Sequence, residues 1–389
     1  MRKNLNVTIV GGGFGGVKAA LELAKDGNRV TLISDKTDFQ YYPALFSAAT
    51  GHDHRQSWVP LEKIFAGKNN VTLVQDTITS IDTSAHLLVG SRSYHYEDVI
   101  LALGSVTTYF GIEGLDIYSY GIKSQDEIKR LQAHLWDEMS DGRDDEKHYV
   151  IIGAGPTGVE LAGALGEYLR LLRRQFGIRK KRVTINLIEA APRVLPRSAK
   201  STSRRAHRRL RKLGVHVEVN KKVEKQTANE LMVNGRPLPT QTVIWTSGVT
   251  NAPFYKANES QLPLNDRGKV KVDEFMRAAA HVYVIGDNAN TPYAGLAQTA
   301  LHDAIFVVKH LKGSHKTYRP VMPASVVPIG HGWAVFEWGR LRFGGFLGGI
   351  MRVLADMVGY HDVLPIGWAM KAWRAQAKQE LRLPDKFES

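Results

Sequence analysis

The chain has 389 residues and no cysteine, so disulfides, thiolate metal sites, cysteine-ligated iron–sulfur clusters and a catalytic thiol are all excluded. Redox chemistry, if any, must run straight from a cofactor to an external acceptor. The length fits two or three domains, and a net charge of +14 points to an anionic partner: nucleic acid, acidic lipid headgroups or phosphorylated ligands.

In "MRKNLNVTIVGGG" the apolar run is short and enters a glycine turn, unlike a signal peptide. Residues 7–10 read as a buried strand, 17–25 as a helix and "RVTLIS" (29–34) as a second strand. Gly11, Gly13 and Gly16 form a GxGxxG set within this βαβ context. The first glycine permits the tight turn and the second lets backbone approach a pyrophosphate. The third lets the helix pack on the strand, with its N-terminus facing the phosphates. "VILALGS" (99–105) is a further apolar strand closing on glycine.

The scheme then repeats. "YVIIG" (149–153) is a strand, Gly153, Gly155 and Gly158 hold the glycine positions, and 157–172 read as a helix. "RVTINLIEA" (182–190) is the next strand and ends in Glu189, whose carboxylate can accept both ribose hydroxyls of an adenosine. It would also repel a 2′-phosphate, which favours NADH over NADPH, although Arg193 nearby works against that preference. "VIWTSGV" (243–249) has the shape of "VILALGS". "VYVIGDNAN" (282–290) reads as a buried strand ending in Gly-Asp, followed by the small-residue helix "AGLAQTALHDAIFVVKHL".

Two basic clusters, "RLLRRQFGIRKKR" (170–182) and "SRRAHRRLRKLG" (203–214), read first as solvated helix faces, then as membrane attraction and last as a nucleic-acid surface. Ala206, Leu210 and Leu213 share one face of the second. Near the end, "WAVFEWGRLRF" (333–343) reads as a hairpin turning at Gly339-Arg340. In "FGGFLGGIMRVLADMVG" (343–359) the apolar run is broken by Arg352 and Asp356, short of the ~18 apolar residues of a spanning helix. "PIGWAMKAWRAQAKQELRL" places Ile366, Met370, Trp373, Ala377 and Leu381 at helical spacing, flanked by Lys371, Arg374, Lys378 and Arg382. That pattern fits an interfacial helix on anionic lipid; a helix packed on the core or in a dimer interface is the alternative.

The order GxGxxG, ALGS, GxGPTGVE, acidic strand end, TSGV, GDNA resembles the two-dinucleotide-binding-domain flavoproteins. Within them the chain is most similar to the type II NADH dehydrogenases, single-subunit NADH:quinone oxidoreductases that pump no protons. "GAGPTGVELAG" followed by "IEAAPRVLP" carries most of the likeness, and "DFQYYPALFSAATG" (38–51) resembles the flavin-contacting segment. The resemblance implies an α/β fold of two Rossmann-like domains, for FAD and NADH, with a C-terminal amphipathic membrane-surface module. The expected bounds are 1–113 and 261–320 for the FAD domain, 114–260 for an inserted NADH domain, and 321–389 for the module. It assigns to the cofactors Gly11, Gly13, Gly15, Gly16, Ser34, Asp35, Pro43, Ile78, Ala102, Gly104, Gly286, Asp287 and Ala297. Around the second motif it adds Gly153, Gly155, Pro156, Thr157, Gly158, Glu189 and Gly248. At the ribose end of FAD, either Ser34 makes the contact or the register moves by one to Asp35. Asp287 would hydrogen-bond FAD near its ribityl and phosphate end; its plain alternative is a helix N-cap.

For catalysis the resemblance points to Glu160 and Gln298, and the chemistry of the side chain adds His302. Glu160 would lie beside nicotinamide and flavin, orienting the carboxamide or delivering a proton; its alternative is stabilisation of a helix N-terminus. Gln298 belongs to an "AQ" helix start on the quinone side. His302 and Asp303 stand where the family often has glutamines, and His302 could supply a proton to a quinone or be a satisfied structural residue. The reading is therefore hydride from NADH to FAD and two electrons on to a membrane quinone, menaquinone or ubiquinone. No metal and no nucleic acid take part, and a peripheral homodimer on the cytoplasmic face of the membrane is expected. The competitors are a soluble oxidoreductase with ferredoxin or oxygen as acceptor and a non-turnover NADH-sensing flavoprotein.

Overall fold

The computed structural model describes residues 4–141, 146–178, 182–240 and 242–375. In chain order, β1 (Asn6–Val10), α1 (Phe14–Lys25) and β2 (Arg29–Ser34) open the chain. β3 (Val71–Gln75), β4 (Asp98–Leu101) and helix α2 (Gln125–Ser140) follow, α2 being started by a Ser124–Glu127 capping box. Next come β5 (Lys147–Ile152), α3 (Pro156–Gln175), β6 (Val183–Glu189), α4 (Lys200–Lys212), β7 (Val215–Val219) and β8 (Thr242–Trp245). The last stretch holds β9 (Arg277–Ala279), β10 (Val282–Val284) and α5 (Ala297–Leu311). It ends with the hairpin strands β11 (Ser325–Pro328), β12 (Ala334–Trp338) and β13 (Leu341–Gly345), then α6 (Phe346–Val363) and α7 (Ile366–Ala375).

Two parallel sheets each grow from one glycine turn. The first has the order β9-β10-β4-β1-β2-β3, antiparallel only between β9 and β10. The second is β7-β6-β5-β8, parallel throughout. Strands covered on both faces need apolar side chains on both, and Val7, Ile9, Val10, Val99, Ile100 and Leu101 are buried accordingly. The first sheet takes strands from both sides of the second in sequence, so the second unit is threaded into the first.

The hairpin turns where the sequence places it, with Trp338 paired to Leu341. Two expected elements are shorter. The strand at 282 stops at Val284 because Gly286, at φ +70°, leads into a single 3₁₀ turn over Gly286–Asn288. The helix that follows begins at Ala297, after extended Leu296. Residues 179–181 of the first basic cluster, and Ala377, Lys378, Leu381 and Arg382, lie outside the described residues.

Helix α6 is inverted relative to an ordinary surface helix. It buries Gly348, Asp356, Tyr360 and Val363 and turns Phe346, Leu347, Ile350, Val353, Leu354, Met357 and Val358 outward, Phe346 at 73% exposure. On α7 the alanines at 369, 372 and 375 are buried, while Ile366, Met370 and Trp373 form an exposed stripe. Such a contiguous apolar surface marks an interaction site. No described helix is long and apolar enough to cross a membrane.

Candidate functional site

The two glycine turns have the same construction. Gly11 (φ +113°) and Gly153 (φ +101°) leave β1 and β5 in a conformation that favours glycine. Their N–H groups bond the carbonyls of Ile33 and Ile188, both at 2.8 Å. A Cβ on Gly16 would lie 1.9 Å from the Gly11 carbonyl oxygen, and one on Gly158 would lie 1.8 Å from that of Gly153. That contact is what lets each helix press on its strand. At the helix starts, Gly13 and Gly155 face open space, with no heavy atom within 4 Å of a built Cβ. Neither helix has a side-chain cap, so the first-turn N–H groups of α1 and α3 are free to bind a phosphate group. Both turns therefore fit a dinucleotide pyrophosphate.

The strand ends differ. Ser34 is buried, its Oγ accepting from the Lys36 N–H at 3.1 Å and lying close under Gly12, whereas Asp35 is exposed. Glu189 accepts from Ala154 N–H (2.7 Å) and Ala191 N–H (2.8 Å). These bonds fix its carboxylate at the mouth of the second turn and leave each oxygen a further lone pair for a ribose hydroxyl.

The 3₁₀ turn over Gly286–Asn288 meets the "ALGS" loop. Asp287 accepts from Ser105 Oγ at 2.7 Å, and Asn288 Nδ2 donates to the Gly104 carbonyl at 2.6 Å. Ala102 sits against Gly11, so this turn and the first glycine turn share one wall. Asn288 Oδ1 is buried without a hydrogen-bond partner among the described residues, a donor-seeking atom at the same place. Tyr42, 46% exposed, lies near enough to this space for the charges of Asp287 and Asp35 to act on its hydroxyl. Ile78 is buried in the hydrophobic core of the first unit. Gly248 (φ +78°) packs against Thr108 and Phe110, and the ring N–H of Trp245, at the end of β8, donates to the same Thr108 carbonyl at 3.0 Å.

Asp303 is buried. It accepts from the Gly286 N–H (3.0 Å) and from the Tyr318 hydroxyl (2.6 Å), so it anchors the 3₁₀ turn. Gln298 is exposed at the start of α5, next to Ala297. His302 donates from Nε2 to the Arg319 carbonyl at 3.0 Å and lies by the Tyr318 ring. Its geometry is that of a hydrogen-bonded helix residue turned onto segment 318–319.

Glu160 lies at a junction of three elements: the second turn of α3, the segment 41–46 and helix α6. Arg352 of α6 approaches Glu160 at 3.8 Å, pairs with Asp356 at 2.7 Å and donates to the Pro43 carbonyl at 2.8 Å. Tyr41 donates to Asp356 at 3.4 Å and stacks on Tyr360 at 4.1 Å. The side chains of Glu160, Arg352 and Asp356 are 12%, 14% and 6% exposed. Burial, opposed by Arg352 and aided by Asp356, pushes Glu160 up to about 8. Burial works against the charge of Arg352, but Asp356, Glu160 and Tyr41 outweigh it and hold the guanidinium charged. Glu160 thus carries a proton near neutral pH and can donate a hydrogen bond or exchange that proton. In the sequence Arg352 and Asp356 only interrupt an apolar run. Their i,i+4 spacing was the available signal: two charges on one helix face that need a buried partner.

Residues 5–304 match the pyridine nucleotide-disulphide oxidoreductase family. The chain is 30% identical, over 406 residues, to a type II NADH:quinone oxidoreductase, NdhA, of Mycobacterium tuberculosis, spanning 94% of this chain and 86% of the relative. This chain belongs to the type II NADH:quinone oxidoreductases. The Staphylococcus aureus type II NADH:quinone oxidoreductase is 27% identical over 332 residues, covering 79% of this chain and 81% of that one. Among solved structures, NDH2 of Plasmodium falciparum in complex with NADH shares the fold at a TM-score of 0.85 and 17% identity, covering 98% and 99% of the two chains. The sulfide:quinone oxidoreductase of Aquifex aeolicus shares it at 0.77 and 17% identity, covering 96% and 92%. For this type II chain the disulphide chemistry in the broader family's description is closed, since it has no cysteine.

Proposed function

We propose that this protein oxidises NADH and reduces a membrane quinone by way of FAD. FAD takes the turn Gly11–Gly16, the strand end at Ser34, the segment around Pro43, Ala102–Gly104 and the turn at Gly286–Asp287, within residues 1–113 and 261–320. NADH takes the turn Gly153–Gly158 and Glu189, within 114–260. When bound, the flavin accepts hydride from NADH and returns two electrons to the acceptor. The protein supplies position and protons. The uncapped N-termini of α1 and α3 hold pyrophosphates, Glu189 reads the adenosine ribose, and protonated Glu160 donates to the nicotinamide side of the junction. Gln298, exposed at the start of α5, faces the acceptor.

One observation carries this reading over a soluble oxidoreductase or a sensor. The helix whose buried face meets Glu160 through Arg352 presents, on its other face, the exposed apolar surface from Phe346 to Val358. A lipid-soluble acceptor requires its reductase at the bilayer, and an apolar face with Lys371 and Arg374 beside it suits anionic lipid. The protein then sits peripherally on the cytoplasmic face of the membrane. The homodimer expected for it is checked by light scattering of the detergent-solubilised protein. The decisive experiment is NADH consumption by the purified protein in detergent, with and without a short-chain quinone. Quinone-dependent consumption is expected; flavin bleaching by NADH without quinone-dependent turnover would place the acceptor elsewhere.

A further inference from the structure

We propose that helix α4 of the nucleotide-binding unit is an anionic-lipid contact, its arginine face lying on lipid phosphates when the hairpin and α6 dock. The inference rests on the reading that the apolar face of α6 meets a membrane.

Helix α4, "KSTSRRAHRRLRK", contains no acidic residue. Thr202, Ser203, Ala206 and Leu210 are buried, while Arg204, Arg205, Arg208 and Arg211 are exposed. Arg209 serves the fold: its Nε–H donates to the Ile329 carbonyl at 3.1 Å and its guanidinium lies over the Trp333 ring at 5.5 Å. The four exposed arginines make no ion pair among the described residues. Arg204, Arg208 and Arg211 follow one another at i,i+4 and i,i+3, where like charges repel. The first turn carries Lys200 and no acid, against the preference of the helix dipole. An anion bound on this face relieves both. Ser201, Arg204, Arg205 and Arg208 lie together on the solvent side of α4, and a guanidinium matches a phosphate with two parallel hydrogen bonds.

The position of α4 selects the source of that anion. Ala199, its N-cap, donates to both carboxylate oxygens of Glu337 on β12 at 3.1 Å. One residue on, Trp338 is 57% exposed, and its partner Leu341 is 56% exposed. Helix α4 thus starts against the hairpin whose exposed tip carries Trp338 and Leu341 and which leads into α6. A nucleic-acid surface has no use for exposed tryptophan and leucine at its border, whereas a headgroup layer over an acyl core presents both chemistries side by side.

The test is co-sedimentation of the full-length flavoprotein with vesicles of phosphatidylcholine alone and of phosphatidylcholine mixed with phosphatidylglycerol. Wild type should prefer the anionic vesicles, and added salt should reduce that preference. The triple variant Arg204→Gln, Arg205→Gln, Arg208→Gln should melt at or above wild type, since repulsion is relieved. Its partition onto anionic vesicles should fall by up to on the order of a hundredfold, about fivefold per basic residue, with partition onto neutral vesicles unchanged. A triple variant that binds anionic vesicles as wild type does overturns the assignment of α4. Loss of binding to a single-stranded oligonucleotide with vesicle binding unchanged does so too, and gives the face to nucleic acid. Should wild type bind neither vesicle, the membrane reading itself fails. Phe346→Ser with Leu347→Ser separates the two, since it should weaken binding to both vesicle types.

Discussion

Lys18 and Glu160 occupy the same place in the two glycine-motif helices, two residues beyond Gly16 and Gly158, and both reach across to α6. Lys18 lies 3.3 Å from the carboxylates of Glu22 and Asp362 and donates to the Asp362 carbonyl at 3.3 Å. Glu160 has one ion-pair partner among the described residues, Arg352, at 3.8 Å, and Asp356 holds that partner more closely. Position along the motif is therefore not what makes a residue reactive. The lysine is saturated and acts as a strut, whereas the glutamate is desolvated with too little compensation and keeps its proton. Helix α6 is tied to both nucleotide-binding units through these two sites, about three turns apart.

The comparison first requires that the two turns do separate work. Gly16→Ala and Gly158→Ala each drive a methyl group into a backbone oxygen, at 1.9 and 1.8 Å. Overpacking of that kind costs about 1–3 kcal/mol or more locally and displaces the helix N-terminus. Gly16→Ala should purify colourless, without FAD. Gly158→Ala should stay yellow and fail to bleach with NADH under anaerobic conditions. A Gly158→Ala protein reduced at wild-type NADH concentrations would falsify the division of labour.

Next in size is Arg352→Met. It takes the charged partner at 2.7 Å away from buried Asp356 and strips the Pro43 carbonyl of its donor, so urea unfolding should show a loss of about 3–5 kcal/mol. The double variant Arg352→Met, Asp356→Leu should recover most of that loss, because a buried pair replaced by apolar groups is often neutral. Recovery that fails would mean the guanidinium matters to the fold chiefly through Glu160 and Pro43.

Both glycine turns, the Glu189 strand end and the hairpin were legible from residue order, because each depends on local backbone geometry that only certain residues allow. Inversion of α6 was not. Its outward Phe346, Ile350 and Met357 and its inward Asp356 reverse the usual rule, and periodicity alone does not say which face is buried. Arg352 and Asp356 were visible as interruptions, but their partner lies nearly two hundred residues away on α3, a distance no local pattern spans. The quinone-side residues are the opposite case. His302 stands where the resemblance puts a glutamine, and one nitrogen of its ring is engaged by the Arg319 carbonyl; Asp303, beside it, anchors the turn at Gly286.

The raised pKa of Glu160 gives a pH signature. A carboxyl group whose folded pKa lies above its ordinary 4.5, near 8, does not penalise folding below about pH 4.5. Its penalty grows as pH rises from there to about 8 and is constant above. Glu160→Gln lacks that penalty. Its stability advantage over wild type should therefore be small at pH 5 and widen to on the order of a few kcal/mol by pH 8 to 9, read from melts across that range. A difference that is flat with pH would show that Glu160 is ionised throughout. In stopped flow, the same variant should reduce its flavin about a hundredfold more slowly with NADH, the lower range of what a positioned proton donor contributes. The limb near pH 8 in the wild-type profile should disappear.

The smallest effect sharpens the contrast most. Lys18→Met removes a side chain 9% exposed, but the carboxylate it leaves behind on Asp362 is 37% exposed and can turn to water. Glu22 keeps Lys25 at 2.7 Å. The loss should therefore be about 1 kcal/mol, seen as a modestly lowered melting temperature with no new pH dependence. The rate of flavin reduction by NADH should match wild type, because nothing at this position exchanges a proton. If Lys18→Met slowed that step as Glu160→Gln does, both residues would act by fixing α6 and not through their own chemistry. The raised pKa of Glu160 would then be a consequence of burial with no part in turnover.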